Sequence, residues 1–125
     1  MKFAKSINYV SSALKALEFY KNAFGFEIEY IHDSQEYGEL NTGDTILAFA
    51  SDDQKKKSLK NVQDKDYLKT ELQFITNDVS AAFKKAVLAG GVPLKHPIQK
   101  PTGQTVALIK AIDGTFIELI TPPNS

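Results

Sequence analysis

The chain contains no cysteine, and its formal net charge is zero. The absence of cysteine excludes disulfides, thiolate nucleophiles and cysteine-based metal sites. Fifteen basic side chains balance fifteen acidic ones, so there is no electrostatic reason to expect nucleic acid or an anionic membrane as a partner. No apolar run approaches the roughly 20 residues of a membrane span, and residues 1–5 lack the apolar stretch of a signal peptide. We therefore expect a cytoplasmic location and neither a nucleic-acid nor a membrane partner.

The composition is that of one globular domain. The chain has 125 residues, of which 42% are hydrophobic and 24% charged. This length supports one real core but not two independent ones.

Residues 1–51 predict the element order β-α-β-β-β. Ser11-Ser12 begins a helix as an N-cap pair, and Gly25 ends it as a C-cap. Between them, apolar side chains recur three and four positions apart, as on the buried face of an amphipathic helix; they are Leu14, Leu17, Tyr20 and Phe24. Short β-rich runs bounded by turn residues predict strands, which cover 3–10, 26–32, 36–42 and 45–51.

The same order returns after a charged segment. Residues 52–68 are nearly devoid of apolar side chains, which is typical of a linker. Asn77-Asp78 then begins a second helix, and Gly90-Gly91 ends it. Asp113-Gly114 is the strongest hairpin signal in the chain, and Pro93 predicts an edge strand. The predicted strands of this part cover 70–76, 92–96, 105–111 and 115–121.

The fold that this pattern predicts is α+β, with two tandem βαβββ repeats. Gly25 and Gly90 end helices at equivalent points of the two halves. We expect a single domain over residues 1–125, with repeat one at about 1–51, the linker at 52–68 and repeat two at about 69–122.

Four stretches resemble the glyoxalase / bleomycin-resistance / extradiol-dioxygenase superfamily, also called vicinal oxygen chelate proteins. They are VSSALKALEFYKNAFGF (10–26), EYGELNTGDTILAFAS (36–51), TELQFITNDVSAAFKKAVLAGGV (70–92) and KPTGQTVALIKAIDGTFIELITP (100–122). The resemblance implies curled mixed sheets around a central cavity, and a homodimer. It is poorly specific for activity, because this fold hosts isomerases, dioxygenases, thiol transferases and drug-binding proteins.

Metal-dependent members of the superfamily take ligands from the first and last strands of each repeat. Carried over to this chain, those places hold Lys5, Leu47 or Ala48, Glu71 and Glu118. A protonated lysine has no lone pair to donate, and neither leucine nor alanine coordinates. Only Glu71 and Glu118 remain capable of ligation, so the resemblance with these departures disfavours a divalent metal, and we expect no cofactor.

The polar candidates for the site are Lys5, Glu71, Gln73 and Glu118. In TFIELIT, strand alternation places Glu118 between Phe116 and Ile120, where a carboxylate needs a partner if it is buried. Glu71 and Gln73 share one face of their strand. If the geometry that the resemblance implies holds, we expect Lys5 to substitute for the metal by pairing with one or both of Glu71 and Glu118.

The predicted aromatic walls of the site are Tyr9, Tyr37, Phe49 and Phe116. His32 and His96 end predicted strands beside turns and lie off the ligand places that the resemblance implies, so we expect solvated side chains there.

Three functions stay open. The leading one is a metal-independent binder of a small, partly aromatic ligand, in which few polar anchors serve a mostly apolar site. The second is a glyoxalase-like lyase or isomerase, or a dioxygenase, that uses a divalent metal or a glutamate general base, with Glu118 or Glu71 as the base. The third is a non-catalytic dimeric scaffold with a relic cavity.

Overall fold

The computed structural model describes residues 4–54 and 71–123. The elements follow the predicted order, β-α-β-β-β twice. The first copy consists of β1 (Ser6–Val10), α1 (Ala13–Phe24), β2 (Glu27–Ile31), β3 (Tyr37–Asn41) and β4 (Ile46–Ser51). The second copy consists of β5 (Glu71–Ile75), α2 (Val79–Leu88), β6 (Val92–Gln99), β7 (Thr105–Lys110) and β8 (Phe116–Ile120).

Each copy forms one four-stranded mixed sheet. The strand orders are β1-β4-β3-β2 and β5-β8-β7-β6. In each sheet the first and last strands of the copy pair in parallel, and the other pairs are antiparallel. The chain divides into two compact units that correspond to these sheets. The predicted α+β class with two βαβββ repeats and mixed sheets is confirmed.

The helices begin and end where the sequence predicts. The Ser12 hydroxyl accepts a hydrogen bond from the Lys15 backbone N–H at 3.3 Å, and the Asp78 carboxylate accepts one from the Ala81 N–H at 3.0 Å. These bonds satisfy donors that a helix start otherwise leaves unpaired. Gly25 ends α1 in the left-handed conformation, with φ 77°, which glycine adopts without steric cost.

In the first unit, α1 packs on one face of its sheet. Leu17 and Tyr20 are almost fully buried, and the Tyr20 ring lies 4.7 Å from the Phe49 ring, centroid to centroid. Gly38 on β3 allows this close approach, because a Cβ atom there would lie 2.3 Å from Leu17 Cδ1. We call the opposite face of each sheet, turned away from its helix, the helix-free face.

In the second unit, α2 lies against β6, β7 and β8. Val79, Phe83 and Ala86 form its buried stripe. Alternation along β7 and β8 places Ile109 and Ile117 on the helix side, where both are fully buried.

Of the local predictions, two are confirmed and one strand end is wrong. Pro93 lies on an edge strand, as predicted, and Asp113-Gly114 forms the β7–β8 turn, with Gly114 at φ 89°. The strand that was predicted to end at His96 instead continues to Gln99 as β6, with register shifts along its pairing with β7. Proline is tolerated on an edge strand, so β6 continues past Pro97 and stays paired with β7 as far as Gln99. Of the predicted linker, residues 52–54 are helical, and the remainder lies outside the described residues.

Within the described ranges, no helix has both the length and the apolarity needed to cross a membrane.

Replacing Gly38 by alanine is expected to lower the free energy of unfolding by about 1–3 kcal/mol, because the added methyl overpacks a filled core against Leu17. Urea denaturation of Gly38→Ala measures this loss. In the double variant Gly38→Ala/Leu17→Ala the two losses should be less than additive, because truncating Leu17 makes room for the methyl. Additive losses would contradict the contact.

Candidate functional site

Strand register shows which side chains share the helix-free face of the first sheet. Ile7 on β1 is the partner of Ala48 on β4, and Ala48 is the partner of Glu39 on β3. Directly opposed residues of neighbouring strands point to the same side. Alternation adds Lys5, two residues before Ile7, and Tyr37, two residues before Glu39.

Lys5, Tyr37 and Glu39 form one hydrogen-bonded network on this face. The Lys5 ammonium donates to Glu39 Oε2 in an ion pair, and it also donates to the Tyr37 hydroxyl at 3.0 Å. The Tyr37 hydroxyl donates to the same Glu39 oxygen at 2.5 Å. The Lys5 and Glu39 side chains are 35% and 16% exposed, so water screens this pair only in part. The partner of Lys5 is therefore Glu39, which the sequence analysis missed, rather than the expected Glu71 or Glu118.

The contact between Lys5 and Tyr37 is a hydrogen bond rather than a cation–π interaction. The ammonium lies 3.0 Å from the hydroxyl oxygen but 5.6 Å from the ring centroid. It therefore sits beyond the hydroxyl and not over the face of the ring, where the cation–π attraction acts. Tyr37 uses its polar end to orient the ion pair.

The network holds each member in one protonation state. The hydrogen bond from Lys5 lowers the pKa of Glu39, and the bond from Tyr37 lowers it further. The bond to Glu39 raises the pKa of Lys5, followed by the bond to Tyr37. Burial raises the pKa of Tyr37, and its bond to Glu39 adds to this effect. A carboxylate with a lowered pKa is a weak general base, so the network positions charge rather than moving protons.

These pKa directions define the pH range in which the network stabilises the fold. The contribution of Glu39 is fully present above its ordinary pKa of 4.5 and is lost as the pH falls through its lowered pKa. The contributions of Lys5 and Tyr37 are present below their ordinary values of 10.5 and 10.0 and are lost as the pH rises through the raised values. Around neutral pH the network consists of an ammonium, a carboxylate and a neutral phenol.

The ion pair joins two strands that are not neighbours, and Ala48 on the strand between them is the register partner of Glu39. Strand β4 lies between β1 and β3, so Lys5 crosses about 10 Å of sheet to reach Glu39. Ala48 is fully buried although its methyl points to the helix-free face. A larger side chain at this position, directly opposite Glu39, would crowd the Glu39 end of the ion pair.

The second sheet carries a different polar pair. Gln73 on β5 is the register partner of Glu118 on β8, and Gln73 Nε2 donates to Glu118 Oε1 at 2.8 Å. Leu108 on β7 is the partner of Glu118 on the other side. By strand pairing, Gln73–Glu118–Leu108 is the counterpart of Ile7–Ala48–Glu39. Each row thus contains one carboxylate, but on a different strand.

The remaining polar and aromatic candidates vary in exposure. Glu71 is exposed beside Phe116, which is itself 49% exposed. Tyr9 is 36% exposed and lies on the same face as Lys5. Tyr30 was missed by the sequence analysis, since a bulge in β2 shifts the alternation there; its ring lies 6.2 Å from the Tyr37 ring, centroid to centroid.

Phe49 is not a wall of a ligand site, and that prediction is wrong. Its ring is fully buried and packs against Tyr20 on the helix side of the first sheet. Alternation along β4 then places Ala48 and Ala50, not Phe49, on the helix-free face.

The two histidines make local contacts of their own. His32 Nδ1 accepts from the Ser34 backbone N–H at 3.1 Å and also bonds the Ser34 hydroxyl at 2.9 Å, which closes a turn. The His96 ring lies 5.2 Å from the Phe83 ring, on exposed strand β6.

Comparison with family models gives one match over nearly the whole chain. The model of the Glyoxalase/Bleomycin resistance protein/Dioxygenase superfamily matches residues 7–119. The chain belongs to this superfamily. Among curated proteins, none matches the chain.

Solved structures share the superfamily fold at low sequence identity. A glyoxalase-related enzyme from Fulvimarina pelagi superposes with a TM-score of 0.83 at 16% identity, over 98% of this chain and 88% of the other. A hypothetical protein from S. aureus gives 0.80 at 18% identity, over 98% and 95%. A lactoylglutathione lyase from Agrobacterium tumefaciens gives 0.71 at 16% identity, over 96% and 92%. At these identities the likeness establishes the fold alone.

Strand register identifies the side chains at the metal-ligand places that the superfamily resemblance implies for the first sheet. In the first sheet the candidate position on the last strand is Ala48, because Leu47 points to the helix side. An alanine methyl donates no lone pair, and the network keeps Lys5 protonated. Across residues 4–54 and 71–123, no three His, Asp or Glu side chains form a group suited to a metal ion. The groups at the first sheet's two places do not fit a bound metal.

Replacing Ala48 by leucine is expected to break the ion pair and to lower the free energy of unfolding by about 1–3 kcal/mol through overpacking. Its matched control is Ala81→Leu, which adds the same atoms at an exposed position of α2. The measurement is urea denaturation of both variants at neutral pH and again well below the ordinary pKa of Glu39. If leucine at position 48 breaks the ion pair, the difference in free energy of unfolding between Ala48→Leu and wild type shrinks at acid pH, where Glu39 is protonated in both proteins. A difference that is independent of pH would contradict this expectation.

Proposed function

We propose that this chain is a metal-independent protein that binds a small, partly aromatic molecule on the helix-free face of its second sheet. The observation that carries the proposal is the Gln73–Glu118 pair set among exposed apolar side chains. Phe116 and Ile75 on this face are 49% and 63% exposed. Exposed apolar groups around a few polar anchors are typical of ligand sites.

The chemistry of each residue gives it a separate role. Phe116 offers a ring face and edge for stacking. Gln73 holds Glu118 in one orientation through the 2.8 Å bond, so a ligand meets a carboxylate that is already positioned. Such preorganisation lowers the entropic cost of binding.

The first sheet supports the metal-independent part of the proposal. Of the two metal-ligand places in that sheet, Lys5 is committed to an ion pair with Glu39 and Ala48 has only a methyl. A divalent ion placed near the Lys5 ammonium would also meet like-charge repulsion. The ionic role of the metal in this sheet is taken by a protein cation.

The proposal predicts stabilisation by an aromatic molecule and not by metals. Thermal unfolding is measured after chelator treatment, then with Zn²⁺, Ni²⁺ or Mn²⁺, and separately with indole as a neutral aromatic probe. We expect indole to raise Tm and the metals to leave it unchanged, because only a ligand that binds the folded state stabilises it. Phe116→Ala should weaken indole binding by about threefold to tenfold, the worth of one aromatic contact.

Leu88→Ala is the matched control, because Leu88 is 89% exposed on α2. Its indole affinity should equal that of wild type. A rise in Tm with any of the metals, or equal indole affinity in Phe116→Ala and wild type, would contradict the proposal.

A further inference from the structure

The carboxylates on the two helix-free faces differ in what neutralises them. Glu39 is paired with the Lys5 ammonium and also accepts from Tyr37. Glu118 accepts from the side-chain amide of Gln73, which carries no charge. Within the described residues, no ion pair joins Glu118 to a cation. The carboxylate of the first sheet is therefore balanced by a cation in direct contact, whereas Glu118 is held by a neutral donor.

Other charged side chains share the face with Glu118, but among the described residues none of them forms an ion pair with it. Lys110 is the register partner of Phe116, and Lys95 is the partner of Leu108 on the edge strand β6. Both lysines are exposed. Glu71 on β5 is the partner of Phe116 on the other side, so Glu71 and Lys110 lie at equivalent diagonal positions to Glu118. These four formal charges balance; what distinguishes Glu118 is the neutral Gln73 amide as its hydrogen-bond partner and the apolar side chains around it.

A ligand that covers Phe116 and Ile75 also removes water from the Glu118 carboxylate, which lies between them. Ile120 follows Glu118 on the same face, and Leu108 lies opposite, so three sides of the carboxylate are apolar once water leaves. Removing water from an ionised carboxylate is strongly unfavourable unless a donor or cation replaces the water. A neutral hydrocarbon ligand supplies neither, and an anion adds repulsion.

We infer that the site takes a cationic aromatic molecule whose ammonium or amidinium group pairs with Glu118 while its ring lies against Phe116. This inference rests on the proposed function and names the chemical class of its ligand. Gln73 occupies one carboxylate oxygen, so the other oxygen accepts from the ligand. A planar amidinium offers two parallel N–H donors, which suit a carboxylate held in a fixed plane.

Three probes of nearly identical shape separate charge from ring binding: benzamidine is a cation, benzamide is neutral and benzoate is an anion. Each is titrated into the full chain while the side-chain amide signals of Gln73 are followed by NMR. We expect benzamidine to bind at least about tenfold more tightly than benzamide, as for one charged hydrogen bond, and benzoate to bind most weakly. The Gln73 signals should shift with benzamidine.

The variant Glu118→Gln keeps the size of the side chain and removes its charge. It should reduce benzamidine affinity to the level of benzamide and leave benzamide binding within a factor of two, on the order of experimental error in such titrations. Glu18→Gln, at an exposed position of α1, is the matched control and should retain the full preference.

The outcomes distinguish the two proposals. Equal binding of benzamidine and benzamide, tighter binding of benzoate, or a preference that survives in Glu118→Gln would overturn the cationic class and leave an aromatic binder standing. If none of the probes shifts the Gln73 signals, or if those signals shift instead with protein concentration because a second copy covers the face, both proposals fail.

Discussion

The ion pair between Lys5 and Glu39 fixes the charge state of the helix-free face of the first sheet. It joins two strands that are not neighbours, across the strand that separates them. The Tyr37 hydroxyl bonds both partners, and Ala48, directly opposite Glu39, presents only a methyl group on this face. Around neutral pH the Lys5 ammonium keeps its proton, the Glu39 carboxylate is a weak base, and Ala48 between their strands has no lone pair to donate.

The consequence for function comes from the duplication. The two repeats share strand order and pairing, so their central rows are directly comparable. One row holds Ile7, Ala48 and Glu39, and the other holds Gln73, Glu118 and Leu108. Moving the carboxylate by one strand changes its partner from an ammonium to an amide. The second repeat thereby keeps a carboxylate that, among the described residues, is in no ion pair and lies beside exposed apolar side chains, and we place the proposed ligand there.

The sequence predicted the fold better than it predicted the site. Turn residues and helix caps punctuate both repeats, so element order and the Asp113-Gly114 turn could be read directly. The face of β8 on which Glu118 lies was also predictable, because the residues of TFIELIT point alternately to the two faces of the sheet. Strand β4 is largely buried on both faces, so alternation gave no sign that Phe49 faces the helix. Glu39 was missed for a different reason: its contact with Lys5 depends on β4 inserting between β1 and β3, which local pattern does not encode.

The most direct test of the account is an NMR titration of the Glu39 side-chain carboxyl in wild type and in Lys5→Met. Methionine keeps an unbranched apolar stem and removes the charge. We predict that wild-type Glu39 titrates below its ordinary pKa of 4.5. In Lys5→Met the pKa of Glu39 should rise but stay lowered in part, because the hydrogen bond from the Tyr37 hydroxyl remains. A Glu39 pKa that is the same in both proteins would show that Lys5 does not neutralise this carboxylate, and would contradict the central claim.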